Sequence, residues 1–259
     1  MQVYIGFDDT DNITADRGTG KLARWFEDEL PESCLMEGVI RQQLLIDDKI
    51  PYTSHNSSAC VKVHMPDASL VQALTARAIA HVRRHASEGS DPGLCVVCEG
   101  DASLPGLIAF GRACTARIVT QREALDAALN SHLSGHGGTN DGIIGAAAAV
   151  GLTASGWSGR FIEYGRLREL PDPVRVSELE CAGIFVVSGD RDAKVPAPDD
   201  LVHTKGWLRP RLWGRRAVLL VMPSEEGVWE SLGKKRNKLT RTEGYSSLPP
   251  KAVTTYPFS

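Results

Sequence analysis

Apolar and polar positions along the chain switch between a period of two and a period near 3.6, and the switches outline its elements. Residues 3–7 (VYIGF) form a short apolar run that predicts a buried strand, and it ends in an acidic loop. Residues 20–30 read as a helix, with Leu22, Trp25, Phe26 and Leu30 on one face and Pro31 as its stop. Segments 37–46 and 58–65 predict two strands separated by the loop DDKIPYTSHNS. A second helix is expected over 69–84, with Val71, Leu74, Ala78 and Val82 inward, followed by a strand at 94–98. The order strand, helix, strand, strand, helix, strand is the ferredoxin-like pattern.

Beyond residue 98 the periodicity weakens. The positions of Ala124, Leu125, Ala128 and Leu129 predict a helix over 120–133. The glycine-rich SGHGGTNDG follows, then an alanine-rich helix from Ile143. Strands are expected at 160–164, 183–188 and 217–222. A boundary near residue 120 divides the chain into 1–120, 121–233 and a basic tail over 234–259 with little periodicity.

Composition changes this picture little. The 259 residues are 42% hydrophobic and 24% charged with a net charge of −3, an ordinary globular balance without an overall basic field. The N-terminus has no signal-peptide pattern, and GIIGAAAAVGL is too short to span a bilayer. Six scattered cysteines, at 34, 60, 95, 98, 114 and 181, are expected to be reduced thiols in a cytoplasmic protein. Cys95 and Cys98 form a close pair with no second pair to complete a four-ligand zinc site, which favours two thiols near a strand end.

The candidate chemistry starts where the first strand stops. Asp8, Asp9 and Asp11 crowd like charges at a strand's carboxyl end, where hard oxygen donors suit Mg²⁺ and substrate phosphates. Thr19, between Gly18 and Gly20, opens the next helix, with Arg17 and Lys21 beside it. The unpaired N–H groups there could take a phosphate. The same residues also read as turn caps and bends. Two phosphate motifs fail here: Ala15 and Leu22 break a Walker loop, and the acidic loop separates the Gly18–Gly20 segment from its strand. Asp9-Thr10-Asp11 resembles the first motif of haloacid-dehalogenase phosphatases, with IFVVSGDRD as a late acidic motif and Asp9 as nucleophile.

A second glycine-rich helix entry holds Gly137, Gly138, Thr139, Asn140 and Asp141, which reads either as a ligand wall or as a flexible connector. His132 and His136 sit about one helical turn apart, with Gly135 ending the helix between them. KGWLRPRLWGRR interleaves Trp207 and Trp213 with Arg209, Arg211, Arg215 and Arg216. With the tail cluster Lys234, Lys235, Arg236, Lys238 and Arg241, it is where RNA contact would be sought, although core tryptophans beside solvated arginines give the same pattern.

Together, IGFDDTD, RGTGKLA, KIPYTSHNSSACVKV, SDPG and GTNDGIIGAAAAVGL resemble the archaeal tRNA-isoleucine agmatidine synthetase (TiaS) family and its bacterial relatives, with a weaker continuation through GIFVVSGD. That resemblance implies an α/β fold with an atypical kinase-like domain followed by a ferredoxin-like domain. It also implies ATP and Mg²⁺ as cofactors, with Asp8, Asp9 and Asp11 holding metal and nucleotide and Thr19 at the position of a phosphorylated threonine. The family joins agmatine to a tRNA wobble cytidine after ATP-dependent activation. His55, Asn56 and Ser57 fall where the family reads Arg-Gly-Asn-Gly, a departure in the phosphate-contacting loop. The chain ends soon after the second domain, so the expectation is a nucleotide site without the family's OB-fold and zinc ribbon. Three functions stay open: an ATP-dependent phosphotransferase or ligase, a dehalogenase-type phosphatase, and a non-catalytic nucleotide-binding or RNA-associated module.

Overall fold

The computed structural model describes residues 1–50 and 55–232. The basic tail from 234 onward and its lysine–arginine cluster lie outside the described residues. The element order begins β1 (Gln2–Asp8), α1 (Thr19–Trp25), β2 (Leu35–Gln43), β3 (Ser57–His64), α2 (Val71–His85) and β4 (Gly93–Cys98). Helices α3 (Leu104–Cys114) and α4 (Gln121–Ala127), strand β5 (His132–Gly135) and helix α5 (Gly142–Ala154) follow. The remainder comprises β6 (Arg160–Glu163), β7 (Val174–Arg175), α6 (Val176–Cys181), β8 (Ile184–Ser188), β9 (Leu201–His203), β10 (Arg211–Trp213), β11 (Arg216–Glu225) and β12 (Val228–Ser231). Among the described residues these make a mixed α/β protein with six α-helices and one twelve-stranded, largely antiparallel sheet.

Strand order is β5-β4-β1-β3-β2-β6-β10-β11-β12-β9-β7, with β8 pairing alongside β11. The βαββαβ run expected from the sequence is present, and its strands lie as β4-β1-β3-β2 with every neighbour antiparallel. Alternation along β1 sends Val3, Ile5 and Phe7 to one face, where they pack with Leu22, Phe26, Leu74, Ala78 and Val82 of the α1–α2 layer. Tyr4 points the other way, into a layer built from Leu107 and Phe110 of α3 and the alanines of α5. A third cluster, with Phe161, Leu179, Leu212, Leu219 and Trp229, forms the core of the far half-sheet. No described helix is long and apolar enough to cross a membrane.

Close backbone approach explains the alanine- and glycine-rich composition of α5. A Cβ at Gly6 would lie 2.1 Å from the Ala146 carbonyl oxygen, so β1 and α5 touch backbone to backbone. The α3–α5 contact is similar, since a Cβ at Gly151 would meet the Leu107 carbonyl oxygen at 1.9 Å.

Several elements differ from the sequence expectation. The helix predicted over 120–133 stops at Ala127, although its start is firm: Thr120 and Glu123 form a reciprocal capping box. Asn130 then adopts a left-handed φ of 70°, and residues 132–135 pair with β4 instead. His132 and His136 therefore sit on and just after a strand, not on a helix. The Ser134 hydroxyl bridges their Nε2 atoms at 2.8 and 2.9 Å. Helix α3 carries no expectation from the periodicity. Cys95 is buried in the α3–α5 layer while Cys98 packs against the opposite one, so the pair cannot chelate together; all six cysteines are free.

Gly151→Ala tests the α3–α5 contact with the sign at stake. Intrinsic helix propensity alone would stabilise the protein by about 1 kcal/mol. Overpacking against Leu107 should reverse this to a net loss of about 1–3 kcal/mol in urea unfolding.

A candidate nucleotide and metal site

The carboxyl end of β1, the start of β3, the start of β4 and the end of β5 share one edge of the sheet, as the registers Phe7↔Ala59, Asp8↔Gly93 and Gly93↔Gly135 require. The candidate segments at 8–11, 55–57 and 137–141 therefore converge there. Residues 17–21 join them at the mouth of α1.

Asp8 is the most constrained member. It shares the face of Tyr4 and Gly6, and its carboxylate lies under the first turn of α5. A Cβ at Gly145 would stand 1.6 Å from its Oδ2, so only glycine admits this side chain. Burial, and then the charges of Asp9 and Asp11, push its pKa up to about 8, although the Asp9 backbone N–H works against the rise. Asp9 takes a left-handed φ of 48°, which turns the chain out of the strand. Its pKa rises to about 6, from burial and the neighbouring charges of Asp91, Asp11 and Asp141. Among the described residues no lysine or arginine forms an ion pair with Asp8 or Asp9.

Asp11 fastens the mouth of α1. Its Oδ1 accepts from the Thr19 backbone N–H and hydroxyl, both at 3.3 Å. The Thr19 hydroxyl in turn accepts from the Thr10 N–H at 3.3 Å and the Thr10 hydroxyl at 3.1 Å. Thr19 is thus a nearly buried hydroxyl with a carboxylate positioned to take its proton. Gly18 and Gly20 flank it; a Cβ at Gly20 would crowd Ile162 at 2.9 Å. Arg17 and Lys21 stand beside the acidic loop yet turn toward Trp25, with Arg17 Cζ 5.6 Å and Lys21 Nζ 5.0 Å from the ring centroid.

The 137–141 turn is arranged differently from a bare phosphate cradle. The N–H groups of Thr139, Asn140 and Asp141 all donate to the Asp91 carboxylate, at 2.9, 2.7 and 3.1 Å. Gly138 (φ 54°) and Asn140 (φ 67°) supply the left-handed backbone that makes this possible, and Gly137 packs on the Ser90 carbonyl. The turn therefore holds Asp91 beside Asp9, and Asp91 is a site residue that sequence reasoning missed. Its signal was the SDPG segment, read only as part of a family likeness. On the next strand, the Asn56 side chain donates to the Leu45 carbonyl at 2.6 Å, and Ser57 accepts from Arg41 at 3.0 Å. His55 is exposed at the start of this segment.

The structure does not bring the IFVVSGDRD segment to this edge. Strand β8 is six strand-to-strand steps along the sheet from β1. Besides burial, the carboxylates that raise the pKa of Asp8 or Asp9 are Asp9, Asp11, Asp91 and Asp141, not Asp190 or Asp192. Asp190 and Asp192 are therefore not among the carboxylates grouped with Asp9, as the phosphatase reading needs them to be.

The arginines of KGWLRPRLWGRR are engaged locally. Arg209 Cζ stacks 3.6 Å from the Trp207 ring centroid, and Arg211 lies 5.2 Å from that of Trp213. Arg215 pairs with Glu99 at 2.8 Å, and Arg216 lies over Phe185 at 4.7 Å. Arg209 also meets a cluster that the sequence disperses. Burial, and then the charges of Arg168, Arg24 and Arg41, lower its pKa to about 10, with Glu163 opposing.

No family model matches the chain, and no curated protein matches it. Solved structures do. TiaS in complex with an isoleucine tRNA and ATP matches with a TM-score of 0.50 and 25% identity, over 58% of this chain and 36% of that enzyme. A tRNA fluorescent labelling enzyme matches at 26% identity and a TM-score of 0.49 over the same shares. The chain thus has structural similarity to TiaS and spans about a third of the length of the solved enzymes it matches.

The raised pKa values carry a consequence for stability. Between the ordinary value of 3.8 and values near 6 and 8, the native state holds protons on Asp9 and Asp8 that the unfolded chain has lost. Metal-free protein should therefore lose stability as pH rises from about 4 to 8, by up to about 1.4 kcal/mol per pH unit for each carboxyl. Asp8→Asn should flatten this slope in thermal melts recorded across that range, and Mg²⁺ should restore stability to the wild type at pH 8.

Proposed function

We propose that the chain is an ATP- and Mg²⁺-dependent phosphotransferase- or ligase-type enzyme related to TiaS. The observation that carries this reading is the carboxylate cluster of Asp8, Asp9, Asp11 and Asp91, crowded and partly buried with no cation paired to Asp8 or Asp9 among the described residues. Hard oxygen donors at this density fit Mg²⁺, which usually binds one or two carboxylates together with substrate phosphates. Asp8, Asp9 and Asp11 would hold the ion, and Mg²⁺–ATP bound there would supply a transferable phosphoryl group with its charge neutralised.

The chain's own residues then have defined tasks. Asp11 holds the proton-accepting position at the Thr19 hydroxyl, while Thr10 fixes the direction of that hydroxyl. Arg17 and Lys21 swing from Trp25 toward the phosphates, and Gly18 and Gly20 let the nucleotide approach the backbone. Gly137, Gly138, Thr139, Asn140 and Asp141 keep Asp91 in register and wall the site, and His55, Asn56 and Ser57 close its third side. The nucleotide-binding unit in this proposal is the four-stranded βαββαβ half-sheet, ferredoxin-like in topology, completed by α3, α5 and the 137–141 turn. The acceptor is proposed to be RNA. Support comes from the arginine cluster of Arg24, Arg41, Arg168 and Arg209, partly buried except for the exposed Arg168 and continued by Arg211, Arg215 and Arg216, which would follow a phosphate backbone.

Isothermal titration with ATP and Mg²⁺ tests the first claim. Heat of binding is expected for the wild type, with at least about a tenfold loss of affinity in Asp8→Asn and Asp11→Asn; equal affinity in all three would remove the proposal. Intact-mass measurement after incubation with ATP should show one added phosphoryl group, absent in Thr19→Ala. A bound but unmodified protein would instead identify a non-catalytic nucleotide-binding module. For the acceptor, Arg41→Gln and Arg168→Gln should each weaken tRNA binding and reduce its salt slope by about 1.

A further inference from the structure

Helix α2 carries a second constellation, on the side of the sheet opposite α5 and formed by residues other than the carboxylates. His81 and His85 are one helical turn apart on α2, and Glu29 reaches them from the 3₁₀ turn that follows α1 (Phe26–Glu29). One ligand atom from each of the three lies within 4.8 Å of the others. The two imidazole rings stand 4.7 Å apart between centroids.

His81 decides what this cluster can do. It is 1% exposed, and its Nε2 lies 2.9 Å from the Leu22 carbonyl oxygen. A carbonyl only accepts, so Nε2 carries the proton and Nδ1 presents a lone pair. That Nδ1 is buried without a hydrogen-bond partner. A buried nitrogen lone pair with its tautomer fixed by a carbonyl behind it is the arrangement found in metal-binding histidines. Phe7 and Phe26 pack on the ring from the sides and hold its orientation. Trp25 supports His85 in the same way at 5.7 Å.

We propose that Glu29, His81 and His85 form a binding site for a zinc-class divalent transition metal, with one coordination position left for water or a substrate atom. Two imidazoles and one carboxylate are a donor set suited to such ions and unlike the all-oxygen set proposed for Mg²⁺. Ligand distances of about 2.0–2.2 Å require the donors to draw together by roughly an ångström, within the reach of side-chain adjustment. Arg84 now holds Glu29 Oε1 at 2.9 Å, and as an exposed side chain it can release that oxygen or leave the second one to the ion. Arg77 binds the Glu29 backbone carbonyl, and Arg17 that of His85, so neither occupies a donor atom.

The test is titration of untagged, metal-stripped full-length protein with Co²⁺, read by the visible absorption of a low-symmetry site. One equivalent is expected to produce an intense band that Zn²⁺ displaces. His85→Gln should abolish it, and Glu29→Gln should weaken Co²⁺ affinity by about 10–100-fold. Both positions are only partly buried, so these variants should fold, and thermal melts confirm it. The band should survive in Asp8→Asn/Asp11→Asn, which separates it from the nucleotide site, and in His132→Gln/His136→Gln. No band in the wild type, a band that survives His85→Gln, or one lost in the His132/His136 variant would overturn the assignment.

Discussion

The organising constraint of this molecule is the burial of Asp8 under the first turn of α5. An ionised carboxylate withdrawn from water costs several kcal/mol unless something compensates it. Here the neighbours are Asp9, Asp11 and, beyond them, Asp91 and Asp141, all of the same sign. The local architecture favours this arrangement. Glycine at 145 makes room for the carboxylate, and glycine at 6 brings α5 down onto β1. The 137–141 turn commits three N–H groups to Asp91 to keep it in place. On the proposed function, this crowding of carboxyl groups is one half of an ion-binding equilibrium.

The rest of the half-sheet serves that edge. Antiparallel β5-β4-β1-β3-β2 brings four loops together at one end, and two helical layers bury both faces so that the strands cannot shift. Thr19, at the start of α1, is held by Asp11 and Thr10, which keeps its hydroxyl beside the carboxylates. The likeness to TiaS covers 58% of the chain, while the far half-sheet around Phe161, Leu212 and Trp229 has its own core.

Much of the N-terminal half was legible in the sequence because its signals are local. The apolar run at 3–7 followed by three aspartates marked both the strand and the carboxylate cluster at its end, and the inward face of α2 followed from its spacing. What escaped was set by distant contacts. Helix α3 was hidden because Gly106 and Gly111 lower its propensity, yet Gly111 is needed where α5 presses against it, with a Cβ there meeting the Ala148 carbonyl at 3.0 Å. Strand β5 has four half-buried residues, too few for a period to register. Asp91 sits in an ordinary turn, and its importance lies in bonds to residues about fifty positions away. His81 is absent from the inward positions read on α2, and the carbonyl behind it and the empty bonding position of Nδ1 are visible only in the fold. The arginines around Arg209 come from four separate segments and become a cluster only through the pairing of β2, β6 and β10.

Burial and like-charged neighbours hold the Asp8 carboxyl in its protonated form up to a pH near 8, and on the proposed function a divalent cation and nucleotide draw that proton off. A ¹³C NMR titration of that carboxyl, with and without Mg²⁺ and a non-hydrolysable ATP analogue, measures it directly. The account predicts titration near 8 in the free protein and a fall below the ordinary 3.8 when both are present. A carboxyl that titrates near 3.8 in the free protein, or one that Mg²⁺ and the analogue leave unmoved, would contradict it.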